Sequence, residues 1–306
     1  MQKLNLNNQK NKWCLFIINI IILLVYTRIY KNKLVKVCLC TIGKKENLYA
    51  SEFVIHYKKI GYDKIFIYDN NDIDDEKFED VLNKKKLNNF VKIINYRGYR
   101  GKRQKPQFDA FIDCYEKNKN NYDWLSFFDF DEFLELKKHK NIKEYLNDKI
   151  FKKCSNIKIN WLIFSDNDLL YYENIPVQKR FKKPLFHFKD NRKIKSTVRG
   201  KLKFNYWRGM KNPHSSKNNL KTCNSMGKIT DPKAFYSSPF NYEFSYLKHY
   251  STKTIEEYCN KRKRGRSDIL VKFDNKTLKT YFNNFFEINK KTKAKIDYFK
   301  KCFNFI

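Results

Sequence analysis

From residue 33 onward the apolar positions switch repeatedly between two spacings. Lys33 to Ile42 (KLVKVCLCTI) alternates apolar with polar and carries β-branched residues, which predicts a strand. Glu46 to Ile60 places Phe53, Val54, Tyr57 and Ile60 on one helical face, closed by Gly61. Lys64 to Asp69 (KIFIYD) predicts a second strand, Glu76 to Leu87 a helix with Phe78, Val81 and Leu82 on one side, and Phe90 to Tyr96 a third strand. Pro106 to Lys117 repeats Phe108, Phe111, Ile112 and Tyr115 at helical intervals, and Asp123 to Phe130 predicts a fourth strand.

Strand–helix repeats of this length predict an α/β fold with a mainly parallel sheet and helices on both faces. Ligands in such sheets bind at the carboxyl ends of the strands. The places to look are therefore just after Ile42, Asp69, Tyr96 and Phe128. Beyond residue 155 the rhythm loosens. Asn156 to Phe164 reads as another strand, and residues 176–250 look irregular and carry five prolines. Thr254-x-x-Glu257 is a capping box opening a helix that Gly265 ends, and the chain reads as helical again from Tyr281.

Trp13 to Tyr26 (WCLFIINIIILLVY) is an almost unbroken apolar run. As a helix it spans about 21 Å, and extension to Tyr30 approaches a bilayer core if Arg28 reaches back to the surface. It reads as an uncleaved, single-pass signal-anchor. No small-residue cleavage site follows it, and a buried helix would need cover on every side. Lysine or arginine flanks both ends, which leaves the orientation open. The sequon Asn275-Lys276-Thr277 carries little weight in a chain with 35 asparagines.

Composition narrows the classes. With 306 residues, 42% hydrophobic and 17% aromatic, the chain can bury a large core and is not a disordered polymer. A net charge of +33 points to a polyanionic partner such as nucleic acid, an anionic membrane or a phosphorylated ligand. That excess comes from 54 lysines against 11 arginines, a bias typical of AT-rich coding sequence. Phosphate and base recognition favours arginine, so diffuse lysine without a motif does not establish nucleic-acid binding. Eight cysteines form no C-x-x-C pair; Cys38 and Cys40 are the only close ones. Zinc is excluded on spacing, and the scatter reads as buried free thiols.

Four features could carry chemistry. Phe128-Asp129-Phe130-Asp131-Glu132-Phe133 closes an apolar strand, and in extended backbone Asp129 and Asp131 point the same way. Two carboxylates at a sheet rim repel each other, and a hard divalent cation such as Mn²⁺ or Mg²⁺ relieves that. Tyr68-Asp69-Asn70-Asn71-Asp72 ends the second strand, where a carboxylate can hold a base or ribose, or simply favour a turn. His214 and His249 are each a candidate late metal ligand or a structural histidine. The run Lys261-Arg262-Lys263-Arg264-Gly265-Arg266 suits phosphate neutralisation, a cationic helix end or a membrane-surface patch.

The segments ENLYASEFVIHYKKIGYDKIFIYDNND, KPQFDAFIDCY, DWLSFFDFDEFL, KSTVRG, NPHSS and LKHYSTKTIEEYCNKRKRG occur in this order. Together they resemble glycosyltransferase family 92 and related family-2-like glycosyltransferases of GT-A fold, over about residues 36–266. The resemblance implies a D-x-D motif at Asp129 and Asp131 for metal and diphosphate. It also implies a nucleotide-binding acid at Asp69, donor-side contacts from Glu46 and Gln107, and a metal ligand at His214 or His249. Where relatives carry a small glycine-containing turn, this chain has Ser165-Asp166-Asn167-Asp168, so Asp166 and Asp168 are candidate general bases without direct support from the family.

The implied organisation is a tail and anchor over 1–32, a GT-A-like domain over 33–266 and a helical extension over 267–306. Within the domain, 33–135 would bind the nucleotide sugar and 136–266 the acceptor. The implied activity is metal-dependent, inverting transfer of a sugar, galactose in the first instance, from a UDP-sugar to a glycan hydroxyl at an ER- or Golgi-type membrane. The competing readings are a basic nucleic-acid-binding protein, a non-catalytic membrane scaffold on a transferase-like fold, and a metal-dependent phosphotransferase or nuclease. The last lacks a glycine-rich P-loop.

Overall fold

The computed structural model describes residues 17–21, 35–87, 89–100, 105–202, 220–231, 241–265 and 274–304. The chain forms two compact units, Met1–Val35 and Lys36–Ile306. In the first, residues 17–21 are helical and lie inside the expected apolar run. The remainder of that run falls outside the described residues. Among the described residues no helix is long and apolar enough to cross a membrane.

The second unit is built on β1 (Val37–Gly43), α1 (Asn47–Lys59), β2 (Lys64–Asp69), α2 (Phe78–Leu82), β3 (Val91–Asn95), α3 (Pro106–Asn118) and β4 (Trp124–Phe127). It continues through β5 (Glu132–Leu136), α4 (Ile142–Asn147), β6 (Asn156–Ile163), α5 (Val177–Arg180), β7 (Ile194–Arg199), β8 (Thr222–Asn224) and β9 (Ser245–His249). It ends in α6 (Ile255–Lys263), α7 (Asn275–Ile288) and α8 (Lys293–Phe303). The strands form one nine-stranded sheet in the order β3-β2-β1-β4-β7-β6-β9-β5, with β8 beside β6.

The first four strands pair in parallel, as the alternating pattern requires. From β4 outward the sheet becomes mixed. β7 runs antiparallel to β4 and β6, and β5 is antiparallel to β9, while β6 is parallel to β8 and β9. The sheet is thus mainly parallel, as expected from sequence, with β7 and β5 as the two strands that run against the rest. Its second half uses strands from the stretch that looked irregular. β7 escaped notice because Lys195, Ser196 and Thr197 are polar although buried, so the strand lacks an apolar face in sequence.

Both sheet faces are packed. Ala110, Phe111, Cys114 and Tyr115 of α3 cover Cys38, Cys40, Phe66, Tyr68, Leu125 and Phe127. On the other face the Phe53 ring of α1 meets Phe130 at 4.8 Å and Phe133 at 5.9 Å. Each fully buried aromatic contributes about 1.5–3 kcal/mol of hydrophobic stabilisation. α7 and α8 share a core with α6, where Ile255, Tyr258 and Cys259 pack on Leu278, Tyr281, Phe285 and Phe299.

One cysteine pair departs from the free-thiol expectation. Cys154 and Cys223 form a disulfide with Cα atoms 5.8 Å apart. They are 69 residues apart in sequence, and the β6–β8 pairing brings them together. Cys38, Cys40, Cys114 and Cys259 are buried free thiols as expected.

Candidate active site

The expected fourth strand stops at Phe127, and the next four residues cross from the middle of the sheet to β5 at its edge. The crossing is a tight turn. The Glu132 amide donates to the Asp129 carbonyl at 3.0 Å, and the Asp129 amide donates to the Glu132 carboxylate at 2.9 Å. Phe130, between the two aspartates, points into the core and stacks on Phe78 with ring centroids 5.2 Å apart. Gly43 makes room for it: a Cβ there would lie 2.6 Å from the Phe130 ring. Burial of this one phenyl ring therefore fixes where the flanking carboxylates emerge.

Asp129 Oδ1 accepts a hydrogen bond from Gln107 Nε2 at 2.7 Å, and Oδ2 accepts one from Lys195 Nζ at 2.6 Å. Lys195 also lies 3.5 Å from Glu132 Oε1, and its side chain is only 2% exposed. Burial alone would lower the lysine pKa, but Asp129 and then Glu132 outweigh it and raise it. Asp131 is buried; Lys261 Nζ donates to its Oδ2, and His249 Nε2 stands 3.6 Å from its Oδ1. Burial works against the charged Asp131, yet Lys261 and His249 hold its pKa well below the usual carboxylate range. Glu132 is pushed well up, because complete burial outweighs the attraction of Lys195.

His249 closes β9 and faces Glu132 across the β5–β9 ladder. Its ring packs on Trp161 with centroids 4.1 Å apart. Burial is the largest influence on it and lowers its pKa, which favours the neutral imidazole that a metal can bind. Asp131, Glu132 and His249 each offer a ligand atom, all within 4.8 Å of one another. Glu132 Oε1 and His249 Nδ1 are buried and have no hydrogen-bond partner among the described residues. Oxygen, oxygen and imidazole nitrogen suit Mn²⁺ well and Mg²⁺ less well.

Asp129, Asp131 and His249 line a cleft of about 360 Å³, with Glu132 buried behind it. Gly43, Lys44 and Glu46 line one part, Trp161, Phe188, Asp190 and Lys193 another, and Lys261, Arg262 and Arg264 a third; α7 adds Asn284, Glu287 and Ile288. The basic segment is aimed by its own helix. The capping box of Thr254 and Glu257 forms in full. The Glu257 carboxylate also takes Arg180 through both its oxygens, at 2.7 and 2.8 Å, and the Tyr49 hydroxyl at 2.7 Å. With its first turn pinned, α6 delivers its last turn to the cleft. There Arg264 bonds the Glu46 carboxylate and the Lys45 carbonyl.

The structure brings Glu46, Gln107, Asp129, Asp131 and His249 together around one cleft. It places three other candidates elsewhere. Asp69 is buried beneath the following loop and does not line the cleft. It accepts from Asn71 at 2.7 Å and from Arg97 at 2.9 Å, and Arg97 in turn donates to the carbonyls of Asp72, Ile73, Asp75 and Glu76. Asp166 forms a buried ion pair with Lys295 at 2.7 Å, and its amide donates to Asn289. Asp168 is half exposed and pairs with Lys183. Neither acid lines the cleft. His214 lies outside the described residues.

Sequence reasoning passed over Lys195 and Glu132. Lys195 sits in a predicted loop, and nothing local marks a lysine as buried. Glu132 could have been noticed, because an acid followed by Phe133 and Leu134 continues an apolar alternation.

The profile of glycosyltransferase family 92 matches residues 33–286. A family 92 protein of Oryza sativa subsp. japonica is 28% identical over 121 residues, which is 40% of this chain and 20% of that protein. One from Ricinus communis is 29% identical over 105 residues, 34% of this chain and 17% of that protein. The matched part thus spans about a fifth of the length of these relatives. Among solved structures, residues 1–349 of S. aureus TarS align over 54% of this chain and 47% of that one, with 12% identity and a TM-score of 0.33.

Proposed function

Since the chain belongs to glycosyltransferase family 92, we propose that it transfers a sugar from a nucleoside-diphosphate donor, a UDP-sugar in the first instance, to a glycan hydroxyl, with inversion and with the help of Mn²⁺ or Mg²⁺. The observation that carries this reading is the convergence of Asp129, Asp131 and His249 on a cleft that Lys261, Arg262 and Arg264 also line, with the buried Glu132 within ligand distance of Asp131 and His249.

Asp131, Glu132 and His249 would hold the metal, and Asp129 stands beside them on the same turn. When bound, the metal supplies positive charge where the diphosphate leaves. The chain's own part is positioning and charge. Gln107 and Lys195 fix both oxygens of Asp129, so the carboxylate cannot rotate. Lys261, Arg262 and Arg264 present cations to the same space, suited to phosphate oxygens that gain charge as the sugar bond breaks. Glu46, held by Arg264, remains a donor-side acid. Asp69 supports the donor half indirectly, through the Arg97-braced loop.

An acceptor hydroxyl must lose its proton to a carboxylate within reach. Asp190 and Glu287 line the cleft and are better placed for this than Asp166 or Asp168. Trp161 and Phe188 line the cleft with aromatic rings suited to a sugar, which supports an acceptor site in the half formed by 136–266. The Cys154–Cys223 disulfide favours an oxidising compartment, in keeping with a membrane-anchored enzyme of an ER- or Golgi-type lumen.

The test is a donor screen on the purified full chain with Mn²⁺, reading release of nucleoside diphosphate from UDP-galactose and a panel of other nucleotide sugars. Metal-stimulated release from one donor supports the reading. Release that persists fully in EDTA overturns its metal dependence, and no release from any donor overturns the activity.

A further inference from the structure

Two lysines neutralise the two aspartates of the turn, and they differ in freedom. Lys195 comes from a central strand, is 2% exposed and is enclosed by Asp129 and Glu132. Lys261 comes from the last turn of α6, its side chain is 25% exposed, and it lines the open cleft. Among the described residues its ammonium donates to Asp131 and, at 3.3 Å, to the Ser251 carbonyl. Lys195 is built in, whereas Lys261 can swing on its four-carbon stem without disturbing the sheet.

The contact is also in competition. Any divalent ion held by Asp131, Glu132 and His249 draws on the Asp131 carboxylate, whose Oδ2 Lys261 now engages. An ammonium and a dication cannot share that carboxylate without repulsion. The other described carboxylates of the cleft already have cations, Glu46 from Arg264, Asp129 from Lys195, Asp190 from Lys193 and Glu287 from Lys189, so an anionic ligand is the open second place for the ammonium.

We propose that Lys261 is an exchangeable counter-ion. It satisfies Asp131 while the cleft is without donor, and it moves to the diphosphate of a nucleoside diphosphate when a divalent cation takes Asp131. This rests on the proposed transferase reading for the identity of the ligand, though not for the competition itself. The consequence is reciprocal coupling: the nucleoside diphosphate tightens the metal, and the metal tightens the nucleoside diphosphate by the same factor.

The experiment titrates Mn²⁺ into the full chain and follows the free-ion signal by electron paramagnetic resonance, with and without UDP. Wild type, Lys261→Met, Lys261→Arg and the off-cleft control Lys263→Met are compared. Without UDP, Lys261→Met binds Mn²⁺ about tenfold more tightly than wild type, the size expected for losing one charged competitor, while Lys261→Arg and Lys263→Met stay near wild type. UDP then tightens Mn²⁺ binding strongly in wild type and about tenfold less in Lys261→Met. Unchanged or weaker Mn²⁺ binding by a folded Lys261→Met overturns the proposal, as does equal UDP coupling in the two proteins. Because no sugar is transferred, these results stand apart from the donor screen: a silent screen with the Mn²⁺ shift present removes the enzyme and leaves the counter-ion.

Discussion

Lys195 Nζ lies 2.6 Å from Asp129 Oδ2, on a lysine whose side chain is 2% exposed. A cation buried beside the cleft acids is a structural tie and an electrostatic one together. Replacing Lys195 by Met would leave Asp129 and Glu132 facing each other without their cation. Removing one partner of a buried charged group costs roughly 3–5 kcal/mol. Urea denaturation should show a loss of that size. A loss below about 1 kcal/mol would mean that the carboxylates are neutral or hydrated instead.

Asp131→Asn keeps the side-chain shape but removes the charge that Lys261 and His249 now stabilise. Metal-stimulated release of nucleoside diphosphate should fall by about 100-fold or more, the scale of several kcal/mol of lost charge stabilisation. Circular dichroism should be unchanged. Retained metal stimulation would place the metal elsewhere.

The disulfide of Cys154 and Cys223 closes a loop of 69 residues that contains all of β6 and β7. A loop of that length corresponds to about 4 kcal/mol of stabilisation. Cys154→Ala, or wild type kept in reductant, should unfold at correspondingly lower urea concentration. Identical curves with and without reductant would show that the bond contributes nothing.

His56 is held neutral, because burial lowers its pKa to about 4. Its ring lies 3.0 Å from the Leu134 carbonyl and 3.3 Å from the Gln178 amide nitrogen, with Lys248 and Lys59 opposing protonation and Glu135 favouring it. A histidine with a lowered folded pKa binds more protons when unfolded, so its protonation opposes folding. Stability attributable to His56 should be complete above its ordinary value near 6.5 and fall as pH drops from there to about 4. Thermal melts across that window should flatten in His56→Gln. An unchanged slope would assign the acid sensitivity to other groups.

Alkaline carbonate should leave the full-length chain in the membrane pellet if the run from Trp13 to Tyr30 is an anchor. Deleting residues 1–32 should move the protein to the supernatant. Extraction of the intact chain would show that the run does not span the bilayer.

Much of the fold was legible because the pattern that encodes it is local. β1, β2 and β3 are short runs rich in apolar and β-branched residues, and α1 and α3 repeat with the helical period, so their order and parallel pairing followed. Helix α2 came out shorter than its apolar spacing suggested, ending at Leu82 before a run of lysines. At the C-terminus the helical stretch begins earlier, at Asn275, because Asp274 caps it by accepting from the Thr277 amide.

Residue order alone determined the βα rhythm, the clustering of acids with phenylalanines over 128–133 and the capped helix that ends in the basic run. All are encoded within a few neighbouring positions, by side-chain periodicity and by hydrogen bonds to nearby backbone. Tertiary structure decided the rest. It chose Asp131, Glu132 and His249 as neighbours, buried Lys195 against Asp129, drew Asp69 and Asp166 into ion pairs of their own, and joined Cys154 to Cys223. Those contacts link residues far apart in the chain. Their strength comes from burial, which no single side chain carries in its identity and which exists only once the sheet has closed around it.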